Sequence, residues 1–168
     1  MAVDGPHYAE ILESNGEVKI IRLKMKDVII NPEYKLEPFI LDTGSPHYVV
    51  FVEDAGSLDV VSEARKIRYS EKFCQEGINV DFVQRYDDGT LYVRSYERGV
   101  EDETLSCGTG VTAAAIAADI SFPSMKRLYR IKTQGGNLKV SFSADRGHFS
   151  DIWLEGPATF VYHGEINL

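Results

Sequence analysis

Residues 107–119, Cys-Gly-Thr-Gly followed by Val-Thr-Ala-Ala-Ala-Ile-Ala-Ala-Asp, limit the fold more than any other stretch. Ala occupies positions 113, 114, 115, 117 and 118, broken only by Ile116. Ala is the strongest helix former, and no Gly or Pro follows Gly110 before the next loop, so a helix over 108–120 is expected. Because its surface is mostly methyl groups, that helix can be packed tightly on every side. It predicts a central helix, with Cys107 at its N-terminal lip. Upstream, a strand-like segment ends at Tyr96-Glu97-Arg98 and a polar loop leads to the cysteine.

Around this helix the chain reads mostly as short strands. Residues 7–13 and 17–23 flank Ser14-Asn15-Gly16, a hairpin signal. A short apolar stretch covers 25–30, and the Asn-Pro and Glu-Pro breaks make 31–38 a loop. Residues 39–41 enter a turn, Asp42 to His47, and 48–52 read as a buried strand. Residues 57–70 carry Leu58, Val61, Ala64 and Ile67 at helical spacing, with basic residues in the second half where cations suit the dipole. Strands are expected at 78–83 and 91–96 around Asp87-Asp88-Gly89, at 128–133 and 138–142, and at 151–154 and 159–162. At least eight strands and two helices make an α+β fold, with mixed sheet or barrel wrapped around the Ala-rich helix.

The 168 residues suffice for a core without disulfide staples. A composition 43% hydrophobic and 26% charged is that of a folded domain, and a net charge of −8 argues against a nucleic-acid or anionic-membrane surface. It leaves room for an anionic small molecule, since one helix N-terminus can bind a carboxylate in an acidic protein. Cys74 and Cys107 are too few for a disulfide framework and lack metal-ligand spacing, so reduced thiols in the cytoplasm are expected. No apolar run reaches membrane-spanning length. The abrupt entry from Met1-Ala2-Val3-Asp4-Gly5 into a strand pattern leads to the expectation of an upstream portion.

Cys107 is the sharpest site candidate. A lone cysteine is more often inert packing. One that opens a helix beside glycines sits near the positive dipole end, which favours thiolate, and the amides of Gly108 and Thr109 form an anion cradle. Glu97-Arg98 by itself reads as a surface ion pair, and His47 as a solvated turn histidine; its functional version tunes or orients the thiol. Asn79, between Ile78 and Val80, is an amide in an apolar strand that either bonds backbone or faces a ligand. Cys74 has no glycine cradle.

These segments together resemble the diaminopimelate epimerase family. The likeness runs through Gly44-Ser45-Pro46-His47-Tyr48-Val49-Val50-Phe51-Val52 and Gly77-Ile78-Asn79-Val80. It continues in Tyr96-Glu97-Arg98-Gly99, Glu103 to Gly110, Gly135-Gly136-Asn137-Leu138 and Gly156-Pro157-Ala158. The resemblance implies a pseudo-symmetric enzyme whose halves each wrap sheet around a central helix. Two cysteines, one from each half, exchange the substrate α-proton on opposite faces without pyridoxal phosphate, metal or other cofactor. Cys107 matches the second-half cysteine. The first-half cysteine belongs to an Asn-Gly-x-Arg-Cys segment that this chain lacks, and Cys74 does not take its place. Gly108 and Thr109 would bind the α-carboxylate of a diamino-dicarboxylate. Asn79 and Arg98, with Glu97 adjacent, would hold its distal end, and His47 would sit near the thiol. The family usually has Asn where this chain has Ser45, and the loop 100–103 is one residue longer and more acidic than the common pattern.

By the same resemblance, 1–24 would be strands completing the first half, 25–155 the C-terminal epimerase domain, and 156–168 a terminal strand returning toward the first half. The chain alone would then be a half-site, with a missing first-half domain as partner and unpaired edges inviting a homodimer. Two other readings stand beside it: a proline racemase-like enzyme, which also opens a helix with Cys-Gly-Thr-Gly, and a non-catalytic binding or assembly domain of the same fold.

Overall fold

A computed structural model describes residues 7–30, 38–123 and 127–166. Strands β1 (Ala9–Asn15) and β2 (Val18–Lys24) close a hairpin in which Asn15 faces Val18, with Gly16 and Glu17 as its loop. The short β3 (Val28–Ile29) follows. β4 (Phe39–Asp42) and β5 (Pro46–Phe51) form a second antiparallel pair. Helix α1 (Val60–Arg68) starts at Asp59, whose carboxylate accepts the Ser62 N–H at 3.1 Å. This cap sets the start three residues inside the expected span. Then come β6 (Asn79–Arg85), β7 (Leu91–Glu97), the short β8 (Asp102–Thr104) and helix α2 (Gly108–Ser121). β9 (Leu128–Thr133), β10 (Gly136–Asp145) and β11 (His148–Thr159) end the order.

The eleven strands form one mixed sheet, ordered β1-β2-β11-β10-β9-β7-β6-β5-β4, with β3 on β11 and β8 on β7. Among the described residues only β5–β6 and β7–β9 are parallel, and each of these pairs is joined by a helix crossover, through α1 and α2 respectively. The helices lie against opposite faces of the central strands. Val80, Phe82 and Tyr96 pack with Val60 and Ala64 of α1, while Val83, Leu91 and Val93 pack with α2. β6 is therefore covered on both sides, which explains its nearly continuous burial.

Every residue of α2 from Gly110 to Asp119 is buried. The helix touches β4, β5, β6, β7, β10 and β11, so the sheet curls around it. Small side chains permit this approach from several strands at once, and Ile116, fully buried, is the one large side chain in the alanine run. The α+β architecture expected from the sequence is the one observed.

Two local expectations are corrected. His47 lies on β5 and is 0% exposed, not in a turn. Pro46 begins the strand, because parallel pairing of His47 with Asn79 extends the ladder past the residues that read as apolar. The last strands expected at 151–154 and 159–162 are a single one, β11, and residues 160–166 carry no strand. Pro157 does not break it, since pairing with β10 ends at Lys139 opposite Glu155 and only β2 runs alongside Pro157. The loop expected at 31–38 falls, except for residue 38, outside the described residues, as do residues 1–5.

Candidate active site

Cys107 is the N-cap of α2, with extended backbone (φ −120°, ψ 115°) and no side-chain capping bond. The first helical bond runs from the Val111 N–H to the Cys107 carbonyl at 2.9 Å. The amides of Gly108, Thr109 and Gly110 therefore have no acceptor within the helix, and no acidic residue occupies the first turn. An unneutralised helix end beside a thiol can take an anion.

The thiol itself departs from the expectation of an easily formed thiolate. Burial pushes the Cys107 pKa up; the Thr109 hydroxyl, 3.4 Å from Sγ, works against this, and the charges of Asp81 and Glu97 add to the rise. Loss of hydration and the two nearby carboxylates outweigh the Thr109 hydroxyl and the Gly110 amide. Cys107 is held as a thiol.

Behind it lies a connected polar cluster. Thr109 Oγ1 is 2.9 Å from His47 Nε2 and 3.1 Å from Ser45 Oγ, and Ser45 Oγ is 3.0 Å from the same ring nitrogen. On the far side, His47 Nδ1 is 2.6 Å from Asp81 Oδ2, and the Ser95 hydroxyl donates to Asp81 Oδ1 at 2.6 Å. His47 and Asp81 are both fully buried. Thr43 donates to the Thr109 carbonyl at 2.8 Å, tying the β4–β5 turn to the helix start.

Asn79 uses its amide inside the protein. Its Nδ2 donates to Ser45 Oγ (3.2 Å) and to the Pro46 carbonyl (2.9 Å), and its Oδ1 accepts the Arg98 N–H at 2.9 Å. It thus joins the Ser45 turn to the Glu97-Arg98 turn. Glu97 accepts the Thr104 hydroxyl at 2.6 Å. The exposed Arg98 donates from Nη1 to the Glu76 carbonyl at 2.9 Å. Gly77, at φ +74°, makes room for it: a Cβ there would stand 2.6 Å from Arg98 Cδ and 2.9 Å from Arg68 Cζ.

The acidic loop before the cysteine is anchored rather than free. Glu101, at φ 60°, accepts from Arg68 Nη2 (2.9 Å), the Tyr69 and Tyr96 hydroxyls (3.0 Å each) and the Gly99 N–H (3.2 Å). Burial raises its pKa, but the Gly99 amide, the two hydroxyls and Arg68 more than reverse this and bring it down to about 2. Glu103 forms a two-point pair with Arg94, both distances 2.7 Å, and Arg94 also donates to the carbonyls of Ala55 and Leu58 at 2.8 Å.

With this geometry in place, the sequence matches of the chain have a structural meaning. A family model described as diaminopimelate epimerase matches residues 39–161, from β4 to just past the end of β11. The chain belongs to the diaminopimelate epimerase family. A diaminopimelate epimerase of Flavobacterium psychrophilum is 44% identical over 99% of this chain, which covers 63% of that protein. One from Aquifex aeolicus is 37% identical over 95% of the chain and 58% of the relative. The chain thus spans somewhat over half the length of these curated relatives. Among solved structures, a probable proline racemase from Agrobacterium radiobacter superposes with TM-score 0.66 at 14% identity, covering 98% of this chain and 58% of that one. A hydroxyproline epimerase from Agrobacterium vitis gives 0.58 at 13%, covering 89% and 59%. At such identities the likeness is one of fold.

In this member of the diaminopimelate epimerase family, Ser45, His47, Thr109 and Cys107 stand in one bonded cluster. Asn79 links that cluster to Arg98, and Glu97 is close enough for its charge to act on the thiol. Gly108 adjoins Leu154 of β11, which a Cβ would approach to 3.0 Å. Cys74 lies apart and exposed, its Sγ directed to the Glu71 carbonyl. Among the described residues no group of three His, Cys, Asp or Glu side chains is arranged to hold a metal ion. Sequence reasoning missed Asp81. Its signal was the one that singled out Asn79, a polar residue between apolar neighbours of one strand.

Proposed function

We propose that this chain carries one half of the catalytic site of a cytoplasmic diaminopimelate epimerase that works without pyridoxal phosphate or metal. The observation that carries the reading is Cys107 beside the amides of Gly108 and Thr109, which have no acceptor within α2. An amino acid whose α-carboxylate sat on those amides would bring its α-carbon next to Sγ. The amides and helix end would stabilise the charge that builds on the carboxylate as the α-proton leaves. Held as a thiol, Cys107 suits delivery of a proton to one face, and a thiolate from the rest of the protein removes the proton on the other. In the reverse direction the roles exchange. Arg98 and Glu97, a cation and an anion side by side, complement the carboxylate and ammonium at the distal end of a diamino-dicarboxylate. Asn79 holds that pair in place and contacts the substrate only where its bonds to Ser45 and Arg98 yield.

In this reading residues 25–155 are the catalytic domain, and 1–24 with 156–168 are where the first half packs. The exposed apolar side chains of Tyr8, Ile11 and Leu12 on one side and of Phe160, Val161 and Tyr162 on the other support a covered surface there. A second copy of this chain is the other candidate occupant, and sedimentation over a concentration series separates a monomer awaiting its first half from a dimer.

The chain alone is expected to bind diaminopimelate weakly by calorimetry and to exchange its α-proton with deuterated water negligibly. Turnover near that of a complete enzyme overturns the half-site. Preferential binding of proline overturns the substrate.

A further inference from the structure

Strand β8 is short, yet its last two side chains point to opposite faces of the sheet and each meets a charged residue of β7. Glu103, opposite Tyr96, lies on the α1 side and holds Arg94. Thr104, opposite Ser95, lies on the α2 side, where Ser95 reaches Asp81. On that face Thr104 is diagonal to Glu97, and its hydroxyl donates to Glu97 Oε1 at 2.6 Å. A carboxylate only accepts, so the direction of this bond is settled, and Oε2 can still take another donor.

Two further bonds fix the backbone around Glu97. Its carbonyl accepts the Glu101 N–H at 2.8 Å, and the next amide, of Arg98, donates to Asn79 Oδ1 at 2.9 Å. The Arg94–Glu103 pair keeps β8 in register, since a slip of one residue would send Thr104 to the α1 face. The half-buried Glu97 is thereby held by main chain and side chain at once, next to Arg98.

We infer that Thr104 is a positioning residue for the distal end of the substrate, holding Glu97 by one carboxylate oxygen so that the other meets the ammonium of a diamino-dicarboxylate. A free glutamate gives up rotamers when it binds a cation. One already bonded to Thr104 has lost them before the ligand arrives, so less of the binding free energy goes into ordering the site. Arg98, the partner of the distal carboxylate, is not bonded to Thr104. The role therefore concerns the ammonium alone.

This role of Thr104 rests on the assignment of Glu97 and Arg98 to the distal end, and one comparison of ligands lets the two fail separately. Diaminopimelate and pimelate share a carbon chain and two carboxylates, and only diaminopimelate carries ammonium groups. Calorimetric titration of this chain with each is expected to show a preference for diaminopimelate. Thr104→Val keeps the side-chain shape and removes the hydroxyl. It is expected to weaken diaminopimelate binding about tenfold, the order of one hydrogen bond to a charged group, and to leave pimelate binding as in the wild type. Thr104→Ser returns the hydroxyl and is expected to restore the preference. In a Glu97→Gln background the valine substitution should change neither affinity, because Thr104 acts through Glu97. Thr104→Ala carries the same comparison where the valine variant does not fold. A preference unchanged in Thr104→Val, an equal weakening of both ligands, or a further loss in the Glu97→Gln background overturns the role of Thr104 and leaves the distal assignment standing. A wild-type chain that binds neither ligand, or both equally, overturns the distal assignment itself and the role of Thr104 with it.

Discussion

Gly110 stands so close to Asp81 that a Cβ on the glycine would lie 2.4 Å from Oδ1. The carboxylate cannot swing aside, because Ser95 and His47 each hold it at 2.6 Å. The first turn of α2 and the buried carboxylate of β6 are therefore fitted to one another, and four elements meet at that contact.

Gly110→Ala should for this reason destabilise the protein, although Ala is the better helix former by about 1 kcal/mol. Overpacking against a fixed carboxylate is expected to cost about 2 kcal/mol net. The urea midpoint measures it, and an increased midpoint contradicts the fit.

Arg94 and Glu103 are only 11% and 15% exposed, and their two-point pair fastens β8 to β7 just ahead of the cysteine. Glu103→Gln leaves the guanidinium its three backbone carbonyls, of Ala55, Gly56 and Leu58, and replaces its bonded counter-charge with a neutral amide. A loss of about 3 kcal/mol is expected in denaturant titration. A loss comparable to that from an exposed lysine-glutamate pair, such as Lys66 with Glu63, would contradict the anchoring role.

Glu101 titrates at about 2, below its ordinary 4.5. A carboxylate with a lowered folded pKa contributes stability that is complete above the unfolded value and disappears as pH falls through the folded one. The stability difference between wild type and Glu101→Gln should thus be constant above about pH 5 and shrink between about 4.5 and 2. Thermal unfolding across that window checks it, and a difference that does not change with pH removes Glu101 from the acid response.

Cys74 should alkylate before Cys107 at neutral pH. The helix-tip position alone predicts the reverse order. Cys74 is exposed, whereas burial raises the Cys107 thiol and restricts access to it. Mass spectrometry of partially labelled protein gives the order, and preferential labelling of Cys107 would mean that the helix end prevails over desolvation.

Much of the fold could be read from local pattern. The alanine run announced a central helix, Asn-Gly and Asp-Gly announced two hairpins, and both helices are present with their ends shifted by a few residues. What escaped depended on strands distant in sequence. His47 looked like a turn residue because Pro46 precedes it, and its place on β5 follows from pairing with β6 across thirty-two positions. The residues left between the strands expected at 151–154 and 159–162 belong to β11, because β2 runs alongside them.

The same division holds for the site. Local residue types and spacing determined that Cys107 begins a helix of small residues beside glycine amides, and that Asn79 is an amide within an apolar strand. Those properties belong to neighbours in sequence. Only tertiary structure decided that Asp81, from β6, meets His47, from β5, behind Thr109, and that the half-buried cysteine has its pKa raised, where its place at a helix end alone would lower it. Burial and hydrogen-bond partners are set by which strands close around α2, and no local pattern specifies the far side of a helix.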